Sequence, residues 1–222
     1  MPAKSVQKSP EITILKRLAS RRVDAEKIAF TVVSNPKAIP AVLQTLKSHK
    51  PSSSYGAAKV LKLVSEREPR LLYPYFDSFV RLLDNDNAFL RCDAMRILGN
   101  LAPVDFQEKL AGILDRYLDP ITGQEMVGAA NCIQSTARIA QAKPHLADTI
   151  ALQILKVEHA VYKTAECRNV VIGHAITAFD QSFREIDRYR YDVIEFVKKQ
   201  LLNSRAATRK KAEGFLKKWV VS

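Results

Sequence analysis

Glycine is scarce in this 222-residue chain, with 7 copies, and cysteine and tryptophan are rarer still at 3 and 1. Asn-Gly and Asp-Gly pairs flanked by alternating β-branched runs are missing, so no hairpin and no strand is expected. No stretch of eighteen apolar residues is present to cross a bilayer, and the first twenty residues lack an apolar core followed by a small-residue cleavage site. The odd number of cysteines argues against a disulfide framework. Cys92, Cys132 and Cys167 all fall in apolar-periodic stretches and read as small core residues of a reducing compartment, which makes the cytoplasm the expected location. The four histidines, His49, His145, His159 and His174, include no H-x-x-x-H pair, and no C-x-x-C occurs. No metal site and no cofactor are therefore expected.

What the chain does have is apolar content of 47% alongside 26% charged residues, the balance of a folded protein. A chain of this length hides about 70% of the surface its unfolded form exposes, enough to hold a core without a metal or disulfide. The formal charge of +12 is confined to the ends. Residues 1–22 hold six Lys or Arg against Glu11 alone, residues 198–222 hold eight against Glu213 alone, and the middle is neutral. A continuous basic groove through the centre is not indicated.

Apolar residues recur at helical spacing almost throughout, as in Ala57, Val60, Leu61 and Val64. Prolines at 36, 51, 69, 103, 120 and 144 cut this pattern into helices, most of them suiting a first helical turn. The expected helices lie near 10–20, 23–34, 38–48, 53–67, 70–84, 87–101, 105–118, 122–141, 145–157, 162–179, 183–202 and 205–220. Pro40 and Pro74 fall inside helical pattern and predict a late start or a kink. Residues 1–9 have nothing to pack and read as a mobile arm, with Ser9-Pro10-Glu11 a suitable helix start.

Laid over one another, these helices repeat. The stretch Leu83-Asp84, Arg91, Ala94, Leu98 recurs in part as Leu46, Ala57, Leu61, as Leu118-Asp119, Ala129, Ile133, and as Leu201, Arg209, Ala212, Leu216, with Arg168 and Val171 in a degenerate copy. Small residues thus mark positions 57, 94, 129, 171 and 212. A period near 40 that contains two helices is the mark of an α-solenoid. The pattern of a leucine pair, an Asp turn, an Arg, then Ala and Leu resembles the HEAT-repeat family over about residues 23–220. That resemblance implies an all-α, α-α superhelix: a right-handed HEAT-like solenoid of four to five helix pairs. A single domain over 10–222 is expected, with repeats near 23–48, 53–84, 87–118, 122–157 and 162–202 and a capping helix at 205–220. Ala in such a unit admits the neighbouring helix closely, and the turn Asp is expected to cap the next helix while the Arg pairs with it.

Function is argued from surfaces. HEAT-like deoxyhypusine hydroxylases hold two irons with repeated His-Glu pairs, whereas this chain has only the single, reversed Glu158-His159. HEAT-like DNA glycosylases line a cleft with tryptophans beside an Asp, and here the one tryptophan is Trp219 in the last helix. No catalytic residue is assigned. The second helix of each pair is expected to line the concave face. The run Tyr73-Pro74-Tyr75-Phe76 with Phe79 holds more aromatic residues than one buried face can use, so Phe76 and Phe79 read as core and Tyr73 or Tyr75 as an exposed anchor. Arg188, Tyr189 and Arg190 join them as partner-binding residues. Lys198, Lys199, Arg205, Arg209, Lys210, Lys211, Lys217 and Lys218 form a basic cluster. It is either the solvated face of the cap or a surface for phosphates, RNA or acidic segments. Asn100, Asn131 and Asn169 are expected to bond to neighbouring turns and fix register. The expected function is a non-enzymatic scaffold that binds a macromolecule, foremost a protein. The alternative is nucleic-acid backbone binding through the basic ends, including a HEAT-like glycosylase activity.

Overall fold

The computed structural model describes residues 10–20, 23–48 and 50–220. The expected N-terminal arm, residues 1–9, lies outside them. All regular elements among the described residues are helical: α1 (Pro10–Leu18), α2 (Ala25–Ser34), α3 (Ile39–Thr45), α4 (Pro51–Arg67), α5 (Pro69–Leu72), α6 (Phe76–Leu82) and α7 (Ala88–Leu101), then α8 (Lys109–Gly112), α9 (Leu114–Leu118), α10 (Met126–Ala142), α11 (Ala147–Leu155), α12 (Ala165–Ser182), α13 (Arg190–Lys199) and α14 (Ala206–Trp219). The chain is an all-α helical-repeat solenoid. It divides inside α7 into a unit ending at Ile97 and a unit beginning at Leu98.

In three of the helix pairs the passage from first to second helix is made the same way. Asn35, Glu68 and Lys143 have φ, ψ of −135°, 78°, of −135°, 68° and of −133°, 72°. Each stands before a proline, whose ring bars the preceding residue from the helical region. Each still donates its N–H to the carbonyl four residues back, at 2.9, 2.8 and 2.8 Å. The first helix is thereby closed, and Pro36, Pro69 and Pro144 start a 3-10 or α turn that leads into the second. Pro40 sits in the first turn of α3, and Pro74 lies in a 3-10 turn, Tyr73–Tyr75, that separates α5 from α6.

In the first unit α2 packs on α4 and α1 on α3, and Ile28, Val32, Leu61, Leu72, Phe76 and Phe79 are among its buried residues. In the second unit α10, α12 and α14 pack in succession and α11 packs on α13. The small-residue positions Ala57, Ala94, Ala129, Val171 and Ala212 are each 0% exposed, so the sequence period falls on the packing interface.

Polar ties join neighbouring repeats. Lys62 pairs with Asp93 at 3.0 Å, Arg138 donates to Asn100 at 3.2 Å, and Gln141 to the Gln181 carbonyl at 2.6 Å. Lys211 donates to the Gly173 carbonyl at 2.8 Å and Lys218 to Asp180 at 2.9 Å. Lys143, buried at the end of α10, reaches back to the Asp105 carbonyl and the Glu108 carboxylate. Glu108 is the one non-glycine at positive φ, 55°, among the described residues. Its conformation is held by that lysine and by His145, 3.2 Å from its other oxygen.

Three expectations are corrected. The helix expected over 183–202 begins at Arg190, because α12 runs on to Ser182 and residues 183–189 form a turn. Asp148 of α11 accepts the N–H groups of Asp187 and Arg188 at 3.0 and 3.1 Å and fixes that turn. At the turn before α7, asparagine rather than Asp84 supplies the cap: Asn87 Oδ1 accepts from the N–H groups of Phe89 and Leu90. Only Cys132 is buried; Cys92 and Cys167 are half-exposed.

Candidate functional site: grooves between second helices

Consecutive second helices lie side by side, and in each unit this leaves a groove. In the first unit it lies between α3 and α6 and has a volume of about 480 Å³. Pro40, Leu43, Leu46 and Leu82 give it apolar walls, and Tyr75 stands among them. Lys47, just past the end of α3, and Arg81 of α6 stand at its rim. Ser78 holds the Arg81 guanidinium at 3.2 Å. In the second unit the equivalent groove lies between α11 and α13, with a volume of about 360 Å³. Leu152, Leu155, Phe196 and Tyr189 form its apolar part, while its rim mixes Lys156 and Lys199 with Glu158, Asp192 and Glu195.

In the aromatic run 73–79 the two phenylalanines are core as expected, whereas Tyr73 and Tyr75 are half-buried and not exposed. Phe76 and Phe79 are 1% and 0% exposed, whereas Tyr75 is half-buried in the groove wall. Tyr73 turns its ring edge-on to Phe76, with centroids 6.1 Å apart. Tyr189 lines the second groove. Arg188 is exposed. Arg190 is committed to the protein itself: its guanidinium donates to the carbonyls of Ile186 and Arg184 and lies 5.3 Å from the Phe183 ring centre. The leucines and the rim cations of the first groove carried no local signal, since their partners lie one repeat away.

Most of the C-terminal basic cluster is also tied internally. Lys198 pairs with Glu195, Lys199 with Glu158, Arg205 with Glu166 and Lys218 with Asp180, while Arg209 and Lys211 donate to carbonyl oxygens. The Glu195 carboxylate raises the Lys198 pKa through its hydrogen bond and charge. Burial and the nearby Arg205 lower that of Lys211. Lys210 and Lys217 are exposed. The solvated, internally paired cap describes this region better than an open phosphate-binding field.

The chemistry-bearing residues are likewise placed structurally. Trp219 donates its indole N–H to Asp180 at 2.8 Å, and its ring packs 5.0 Å from that of Phe183. His174 faces Gln134 of α10 at 3.1 Å, and the Cys167 N–H is capped by Thr164 at 3.0 Å. Asn169 does bond to a neighbouring turn, donating to Ser204 at 2.8 Å and accepting from Asn203 at 3.1 Å. Asn131 donates instead to the Val127 carbonyl of its own helix. Among the described residues no group of three His, Cys, Asp or Glu side chains is arranged to hold a metal, and no helix is long and apolar enough to cross a membrane.

No family model matches the sequence, and no curated protein matches it. Solved structures do. A designed armadillo repeat protein superposes with a TM-score of 0.63 at 13% identity, covering 95% of this chain and 99% of that one. The fold is that of an armadillo-like helical-repeat solenoid. A second designed armadillo repeat protein, in complex with the peptide (KR)4, gives 0.52 at 12% identity, covering 95% of this chain and 99% of the other. An engineered structural-genomics protein gives 0.53 at 16% identity, covering 95% and 96%.

Proposed function

We propose that this chain is a non-enzymatic, HEAT-like scaffold that binds segments of another protein in the grooves between its second helices. One observation carries the reading: two grooves occupy the same place in different repeats, and each sets a tyrosine, Tyr75 or Tyr189, beside leucines. Tyrosine is favoured at binding hot spots because it adds a large, stiff contact area with a polar tip. Both volumes fall within the range of about 300–1,000 Å³ that ligand pockets take up. A structural neighbour that holds a peptide supports the same use of the fold. Three cysteines that form no disulfide with one another fit a cytoplasmic setting.

The test is affinity capture from cell extract by the intact chain and by a Tyr75→Ala/Tyr189→Ala variant, with circular dichroism to confirm unchanged helicity. Proteins retained by the intact chain and lost from the variant are the expected result. An identical set retained at equal recovery by both would remove the grooves from the function.

A further inference from the structure

We infer that the groove between α3 and α6 takes an acidic, aliphatic linear segment of a partner protein, an assignment that rests on the segment-binding reading above. The walls formed by Leu43, Leu46 and Leu82 offer aliphatic surface, and Tyr75 stands beside them. The two rim charges are both positive: Lys47, two residues past the end of α3, and Arg81 of α6, each exposed. No Asp or Glu occurs among the described residues lining this groove, whereas Glu158, Asp192 and Glu195 line its counterpart in the second unit. The difference matters because a groove with cations on both banks and no carboxylate repels a basic segment and attracts an acidic one.

Other occupants fit less well. A second copy of the chain would bring a net charge of +12 toward a cationic rim. The chain's own residues 1–9 contain Lys4 and Lys8 and no acidic residue. A polyanion such as nucleic acid would meet the charges but leave the leucine walls unused. An alternation of Asp or Glu with Leu or Ile in an extended segment satisfies both, since successive side chains point to opposite sides and one set can enter the groove while the other meets the rim.

Fluorescence anisotropy with labelled octapeptides tests this on the full chain. The probes are alternating Asp-Leu, Lys-Leu with the same aliphatic content, and Asp-Ser with the same charge. The Asp-Leu peptide is expected to bind, Asp-Ser to bind weakly and Lys-Leu not at all. Binding should weaken several-fold as salt rises from about 50 to about 300 mM, because exposed charges are screened. Lys47→Glu/Arg81→Glu should cost the Asp-Leu peptide about tenfold or more and admit Lys-Leu, while Tyr75→Ala should weaken both peptides on their respective backgrounds. Equal binding of Asp-Leu and Lys-Leu, lost together in Tyr75→Ala, would overturn the acidic assignment and leave the groove as a segment site. Peptide binding indifferent to Tyr75→Ala and to charge reversal, or no binding of any probe, would overturn the assignment of a ligand to this groove, with the capture experiment deciding separately on the scaffold reading.

Discussion

Arg209 does for the turn before α14 what Arg91 does for the turn before α7. Arg91 Nη1 donates to the carbonyls of Asn85 and Asp86 at 2.8 and 3.1 Å, and Arg209 Nη1 to those of Asn203 and Ser204 at 2.7 and 3.0 Å. Each turn opens with an asparagine whose Oδ1 accepts the N–H two residues on, Asn85 from Asn87 and Asn203 from Arg205. The arginine is therefore a clasp on the backbone of the inter-repeat turn, bonding carbonyls of the turn itself.

Arg91→Met and Arg209→Met are each expected to lower stability by about 1–2 kcal/mol, the scale of charged hydrogen bonds at half-exposed sites. Lysine places one compact charge where the guanidinium spans two carbonyls, so Arg→Lys should restore less than half of the loss. Urea midpoints for the four variants check this, and a full rescue by lysine would show that charge alone suffices.

Glycine has two different roles in the second unit. A Cβ at Gly173 would lie 2.9 Å from Thr208 Oγ1, which is itself held at 2.9 Å on the Asn169 carbonyl and is not free to move. At Gly99 it would lie 3.0 Å from Ser135 Cβ and 3.2 Å from the Ser135 carbonyl. Gly214, inside α14, meets nothing within 4 Å. Gly173→Ala and Gly99→Ala are expected to destabilise by about 1–3 kcal/mol through overpacking. Gly214→Ala should stabilise by about 0.5–1 kcal/mol through the helix propensity of alanine. Thermal melts of the three variants read the contrast, and a stabilised Gly173→Ala would mean that α14 yields readily.

The repeat was legible because its marks are local. Ala57, Ala94 and Ala212 recur at the period, and prolines announce the hinges at Asn35, Glu68 and Lys143. A break was legible between 179 and 183 but not its extent, because Phe179, Phe183 and Ile186 continue a helical spacing through the turn and are all buried. What stops the helix there is Asp148, a residue of another element, bonding to the turn's N–H groups. The same reason hid the groove and the fate of the basic cluster. Lys47 comes to line one groove with Arg81, and Lys199, Arg205 and Lys218 meet Glu158, Glu166 and Asp180, only after repeats stack, so composition shows the cations without their surroundings.

His174 supplies a pH dependence whose sign follows from its surroundings. It is half-buried on α12, its Nδ1 accepts from Gln134 Nε2 at 3.1 Å in the neutral tautomer that fits this contact, and Lys211 and Arg205 lie nearby. Burial first, then those two cations, lower its pKa from the ordinary 6.5. In the unfolded chain the imidazole takes up a proton at its ordinary pKa, while the folded protein resists doing so. The contribution of neutral His174 is complete above the unfolded value and is lost as pH falls toward and through the folded value. A proton on Nδ1 also removes the acceptor that faces Gln134. His174→Gln is expected to flatten the decline in urea midpoint between about pH 7.5 and pH 5, relative to the unsubstituted chain. Lys211→Met should move the NMR titration of the His174 ring upward by relieving one of the two cations. A His174 titration at or above the ordinary midpoint, or an unchanged acid decline in His174→Gln, would show that burial and the Lys211 and Arg205 cations do not govern this ring.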